Sequence, residues 1–324
     1  MHRFYEFSAA VLCGLCLFPS TVSAAPTGEP TDVGGNVLVE DVLIVDSALD
    51  RLSPSLFRQD FQRLPQPGES TYWINSDPNG PSVSLRPGKI LFETSVLWVD
   101  PYEVERATPA RAAAVAPVLS IMPADRLRTL LREAADAAGT PHGIRYPRSI
   151  HAHEVGKAQV AAALKDADSG TATVVQPQPA NMYAPYAGPV ALSWDDRQVV
   201  MSIRIQRYRK VRGKHLTIRD FGPPIDIYYV GSSVPQGRAP IDWWTENDGA
   251  HLQAELRKGF HHVFDAALGT PEMIGAPQRG AVASVQIGDR TERFNGALIN
   301  ETDGIAWLVL GKRTLLLVST SLSQ

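Results

Sequence analysis

Three patterns in the chain predict an α+β protein, with an N-terminal α/β-type domain followed by an antiparallel β-ribbon, one long amphipathic helix and a C-terminal β-meander. The first is alternation: Met201, Ile203 and Ile205 are apolar against Ser202, Arg204 and Gln206. The second is a stripe of Leu252, Leu256, Phe260, Val263 and Ala267, which fall on one face of a helix over roughly 246–268. The third is a run of short apolar segments, Val282–Ile287, Arg293–Ile299, Ile305–Leu310 and Thr314–Thr320. Gly288-Asp289, Thr302-Asp303-Gly304 and Gly311-Lys312 separate them as turns.

The chain begins with a basic residue, Arg3, an apolar run from Phe7 to Phe18, and the small-residue site Val22-Ser23-Ala24 before Ala25-Pro26. This is the pattern of a secretory signal peptide over 1–24, with an apolar run too short to span a bilayer. An exported protein is expected, periplasmic or secreted, with its mature end at Ala25. Both cysteines, Cys13 and Cys16, fall inside the leader. The mature chain is therefore expected to lack disulfides, thiol nucleophiles and thiolate metal sites, which fits a bacterial periplasm. No transmembrane segment is expected in it, and about three hundred residues bury enough surface to fold without staples. A formal net charge of −3 argues against a nucleic-acid binder.

After a flexible lead-in over 25–36, Val37–Val45 reads as a buried strand. Ser53-Pro54 has the form of a cap for a short helix with Phe57, Phe61 and Leu64 on its apolar side. Thr71–Ile74 and Lys89–Val99 read as strands. A helix over Ala124–Ala138 carries Leu127, Leu130, Leu131, Ala134 and Ala138 on one side, and Val155–Lys165 is a weaker, alanine-rich helix. With a strand at Thr171–Val175, these compose an α/β domain over 37–176. Residues 177–189, rich in Pro, Ala and Tyr, form a linker or an ordered strap. A β-rich domain with the closing helix then fills 190–324.

In the ribbon, the apolar alternation stops at Gln206. Either a bulge there turns Tyr208 into the core, or the strand runs past the core into solvent. Arg212-Gly213 supplies a turn, Leu216 and Ile218 resume an apolar face, and Ile225, Ile227 and Tyr229 follow Pro223-Pro224 as a third strand. Thr245 has the form of an N-cap for the closing helix, with Glu246 and Asp248 in its first turn. The segments AWLVL and TLLLVS are nearly continuous in apolar residues, so both their faces must be covered, by the closing helix or by a partner.

Chemistry is sparse. His151, His153 and Glu154 are weak metal candidates, because Lys157 stands where a zinc-protease helix needs its second histidine. His251, Glu255, His262 and Asp265 share the helix face opposite the apolar stripe, which is expected to be solvated. Gly231-Ser232-Ser233 follows a strand without the form of a nucleophile elbow. Trp243-Trp244 reads as core anchors for the helix or as a sugar-stacking pair. No cofactor is expected.

The densest charge run is Arg204, Arg207, Arg209, Lys210, Arg212 and Lys214, with Tyr208 among them and no acidic residue between. Such a run either guards a strand edge against pairing or docks on an anion. The reading is a non-enzymatic envelope protein docking through this hairpin tip on lipid headgroups, cell wall or an acidic protein. The alternative is an extracytoplasmic hydrolase with a dispersed His/carboxylate site.

Overall fold

A computed structural model describes residues 40–45, 49–54, 63–64, 85–87, 97–99, 109–139, 148–149, 156–163, 165, 171–178, 188–193, 195–211, 217–269, 281–287, 290–310 and 313–320. Its strands are β1 (Glu40–Ile44), β2 (Leu52–Pro54), β3 (Arg63–Leu64), β4 (Leu85–Pro87), β5 (Leu97–Val99), β6 (Arg148–Ser149), β7 (Thr171–Pro177) and β8 (Val190–Leu192). They continue as β9 (Val199–Val211), β10 (Thr217–Asp220), β11 (Ile225–Val230), β12 (Val282–Ile287), β13 (Arg290–Asn295), β14 (Ala297–Thr302), β15 (Ile305–Leu310) and β16 (Thr314–Ser319). The helices are α1 (Ala116–Ile121), α2 (Ala124–Gly139), α3 (Lys157–Ala163) and α4 (Pro240–Gly269). A helical stretch at 109–114 leads into α1.

The long strand β9 is the spine. Along its length it pairs antiparallel with β11 and β10 on one side and with β7 and β8 on the other. The main sheet runs β14-β15-β16-β11-β9-β7-β1-β6 and mixes hands: β11–β16, β1–β7 and β1–β6 are parallel. The chain is thus an α+β protein with a large sheet and a C-terminal meander, β14–β15–β16. Although a domain boundary was expected at 177–189, β7 before it and β9 after it are hydrogen-bonded neighbours. The segments on its two sides share one sheet.

Both faces of the sheet are covered, and alternation sorts each strand between them. One face meets α1, α2 and α4. There Met201, Ile203 and Ile205 join Ile227, Tyr229, Leu127, Leu131, Leu256 and Phe260 in the main core. On the other face, α3 covers Leu43, Ala172, Val174, Tyr208 and Ile218 with Val160. The hairpin β12–β13 covers Ala306, Leu308, Leu316 and Val318 with Val285 and Phe294. Every residue of β15 is consequently buried, odd positions in the main core and even ones beneath the hairpin. The expected cover for AWLVL and TLLLVS comes from within the chain.

The register of β7 on β9 is continuous from Ile203 to Arg209, so no bulge interrupts it. Tyr208 is buried because it faces the second core under α3, not because the strand is kinked. Two further expectations are corrected. Ser53 and Pro54 belong to β2, paired in parallel with β8, rather than to a helix cap; the buried Ser53 hydroxyl donates to the Val190 carbonyl. Leu64, expected on that helix, lies in β3; Phe57, Phe61 and the strand expected at Thr71–Ile74 fall outside the described residues.

The closing helix also starts earlier than expected. It begins at Pro240, a residue suited to a first helical turn, and breaks at Glu246 (ψ 137°), Asn247 (φ 52°), Asp248 (φ 57°) and Gly249 (φ 76°). Asn, Asp and Gly are the residues that enter the left-handed region at least cost. Thr245 is no cap: its hydroxyl donates back to the Ile241 carbonyl, 2.9 Å away. The break redirects the chain, so that Trp244 and the stripe from Leu252 onwards enter one core. Beyond it the helix lies close on the sheet at Gly259, where a Cβ would stand 2.6 Å from Met201 Cε and 2.8 Å from Tyr229 Cδ1. Among the described residues, no helix is long and apolar enough to cross a membrane.

Candidate functional site

The ribbon β9–β10 carries the described part of the basic run, and pairing divides it. Arg204 Nε and Nη2 hold the Asp226 carboxylate at 2.7 and 3.2 Å, across the β9–β11 ladder. It is neutralised within the fold. Tyr208, which the sequence groups with the basic run, lies 8% exposed among Val160, Ala172 and Ile218 in the second core. Burial raises its hydroxyl pKa, Asp220 adds to the rise and Lys157 opposes it. Arg209 is exposed, Arg207 and Lys210 are half-buried, and Arg212 and Lys214 lie outside the described residues.

Strand pairing adds residues that a linear scan separates. Arg219 of β10 stands directly opposite Arg209, and both are exposed. One step along, the Phe221 amide donates to the Arg207 carbonyl at 2.8 Å, and the Phe221 side chain is 48% exposed. Alternation places Arg207, Arg209, Arg219 and Phe221 on the face that α1, α2 and α4 cover, beyond Ile205, where the main core ends. Arg219 lies beyond the turn from the run that ends at Lys214, and only counting across the hairpin from Arg209 finds it.

The polar face of α4 differs from expectation. Glu255 is 8% exposed and its Oε1 accepts from the Tyr229 hydroxyl at 2.6 Å and the Ser232 amide at 2.9 Å. Gly231 makes room, since a Cβ there would stand 2.5 Å from Oε1. Burial pushes the Tyr229 hydroxyl well above its ordinary pKa, and Glu255 adds to this, so the tyrosine remains a donor. Ser232 Oγ and Ser319 Oγ are 2.8 Å apart, and Lys258 Nζ donates to Ser319 Oγ at 3.3 Å. These groups lie at the carboxyl ends of the parallel neighbours β11 and β16, the end where open α/β sheets place ligands. Here the two serines are buried and bonded to each other, so the arrangement acts as a latch between helix and sheet.

His251 and His262, expected on a solvated face, are half-buried. The His251 ring stacks on Trp243 with centroids 3.6 Å apart, and Arg238 stands 5.3 Å from the same ring centroid. Trp244 is buried and donates through Nε1 to the Asp196 carbonyl at 2.6 Å. Both tryptophans are core anchors, and the Trp243 ring is already stacked. His262 lies against Tyr229 with centroids 6.4 Å apart. Burial lowers its pKa, His261 and Lys258 lower it further, and Asp265 and Asp303 oppose them. His261 itself pairs with Asp265 at 3.2 Å. The expected cluster is thus three local arrangements around His251, Glu255 and His262. His151, His153 and Glu154 lie outside the described residues, among which no group of three His, Cys, Asp or Glu side chains is placed to hold a metal.

The His262 environment has a consequence for pH. A histidine whose folded pKa lies below the unfolded value of 6.5 favours the fold while neutral, and this contribution is lost as acidification charges it. Stability is expected to fall as pH drops through 6.5 and below. Denaturant midpoints for H262Q across that range should lack this component. A wild-type profile that H262Q reproduces at every pH would assign the acid sensitivity elsewhere.

No protein-family model, no curated protein and no solved structure matches this chain.

Proposed function

We propose that this is an exported, non-enzymatic envelope protein that docks through its β9–β10 ribbon on an anionic surface. The leader pattern of 1–24 supports export, to the periplasm or beyond. The observation that carries docking is the exposed Arg209–Arg219 pair, two cations side by side with no hydrogen bond or ion pair to the described residues. Like charges directly opposite each other on a ladder are destabilising, so the pair gains from an anion that both can share. The ribbon's acids are committed elsewhere: Asp226 holds Arg204, and Asp220 holds Lys157 at 2.7 Å. Among the described residues, His251 of α4 is engaged in stacking on Trp243 and Glu255 in the latch with Tyr229 and Ser232.

Co-sedimentation with anionic vesicles, neutral vesicles and cell-wall sacculi, over a salt series, tests this. Each Arg or Lys near an anionic surface contributes about 1 kcal/mol, so R207A/R209A/K210A/R212A should lose about a hundredfold or more in affinity. Wild-type binding should weaken as salt rises. Equal and salt-insensitive behaviour of the two proteins would return the run to the role of a solvated strand edge.

A further inference from the structure

We infer that the docking surface is the flank of the ribbon rather than its tip, and that it takes the phosphodiester headgroups of an anionic bilayer: Arg209 and Arg219 grip one phosphate between them while Phe221 enters the headgroup layer. This rests on the docking reading and gives it a ligand. The four positions form successive pairs on one face, Arg209 opposite Arg219 and Arg207 opposite Phe221, with the Tyr208–Asp220 pair of the other face between them. Directly opposed residues have Cβ atoms about 5 Å apart, and a guanidinium offers planar, paired donors. Two such forks on one rung converge on an oxygen-rich tetrahedral anion. The acids nearest in sequence turn away from it: Asp220 follows Arg219 and so faces the α3 side, where it meets Lys157. The acidic position in the same row, Glu40 of β1, is two strands removed.

Phe221 chooses among the anions. It is one of three exposed large apolar side chains among the described residues, and it holds the next position after Arg219 on the same face. A cell-wall polymer or an acidic protein surface would leave its ring in water. A bilayer interface buries such a ring while arginines reach the phosphates above it. Gly222 (φ 84°) and Pro223-Pro224 interrupt the edge there, and the ladder resumes only at the Ile225–Ile205 pair.

The experiment compares wild type with R209A/R219A, R209K/R219K and F221S, on phosphatidylglycerol–phosphatidylcholine vesicles and on sacculi. R209K/R219K keeps the charge but loses the paired forks, and is expected to weaken vesicle binding about tenfold. F221S is expected to weaken it by a similar factor with an unchanged salt dependence, since no charge is lost. Wild-type behaviour of both variants, with binding lost in R209A/R219A, would overturn the phosphate-and-bilayer inference and leave the docking reading standing. Binding to sacculi alone would overturn the inference in favour of the cell wall. Unaltered binding by R209A/R219A would overturn both, and all three substitutions are at exposed positions where the fold should survive.

Discussion

Replacing Glu255 by alanine is expected to destabilise the protein by about 3–5 kcal/mol, although the residue sits on what looks in sequence like the wet face of a helix. Its Oε1 accepts both the Tyr229 hydroxyl and the Ser232 amide, and the side chain is 8% exposed. Alanine would leave two buried donors unmet, at roughly 1–3 kcal/mol each, and a void where the side chain packs. Tyr229 cannot easily turn to another acceptor, because its ring packs beside Gly259 at the crossing of helix and strand. Glu255→Gln keeps an acceptor oxygen of the same reach, so it should lose less than half as much. Denaturant midpoints at neutral pH on wild type and both variants give the answer. A loss below about 1 kcal/mol for Glu255→Ala would mean that water replaces the carboxyl, and that the latch is ornament to the packing of Leu256 and Phe260.

That latch also shows where sequence reasoning stops. The stripe from Leu252 to Ala267 and the segments after Val282 were legible because each repeats its own period over many residues. Glu255 was not, because its partners Tyr229 and Ser232 arrive from a strand end that only the tertiary fold brings over the helix. The start of α4 was misread for a local reason. Thr245-Glu246-Asn247-Asp248 has the composition of a cap followed by an acidic first turn, and the same residue types also break a helix by going left-handed. Composition does not separate a cap from a kink. Tyr208 was ambiguous because alternation was read with one buried face, whereas α3 gives the sheet a second. The basic run was plain in sequence, but Arg204 is spent on Asp226 and Arg219 joins across the hairpin. Charge counting along a chain finds the density and misses the pairing.

The other large loss is expected at Arg111, whose partners are more than eighty residues away in sequence. It stands in the helical stretch 109–114, is 5% exposed, and forms an ion pair with Asp196 at the turn between β8 and β9. Its Nη1 donates to Oδ2 at 2.8 Å, and Nη2 reaches the Ser193 carbonyl at 3.2 Å. Burial raises the Asp196 pKa above its ordinary value; Arg111 works against that, and Asp195 adds to it. Arg111 thus offsets part of the cost of burying the carboxylate. Arg111→Met keeps volume and removes the charge, so it should cost about 3–4 kcal/mol, the toll of stranding one member of a buried pair. If so, removing the other charge should return part of the loss. Asp196 has φ 60°, which Asn tolerates, so R111M/D196N should be more stable than R111M alone. The sign with pH is also fixed. A carboxyl whose folded pKa is raised favours the fold when protonated and loses that contribution as pH rises, so the R111M deficit should be smallest in acid and grow towards neutrality. Urea midpoints for wild type, the single variants and the double variant, at acid and neutral pH, separate the outcomes. Equal losses in R111M and R111M/D196N at every pH would show that Arg111 acts through its bond to Ser193 and its packing, and that the Asp196 pair contributes nothing of its own.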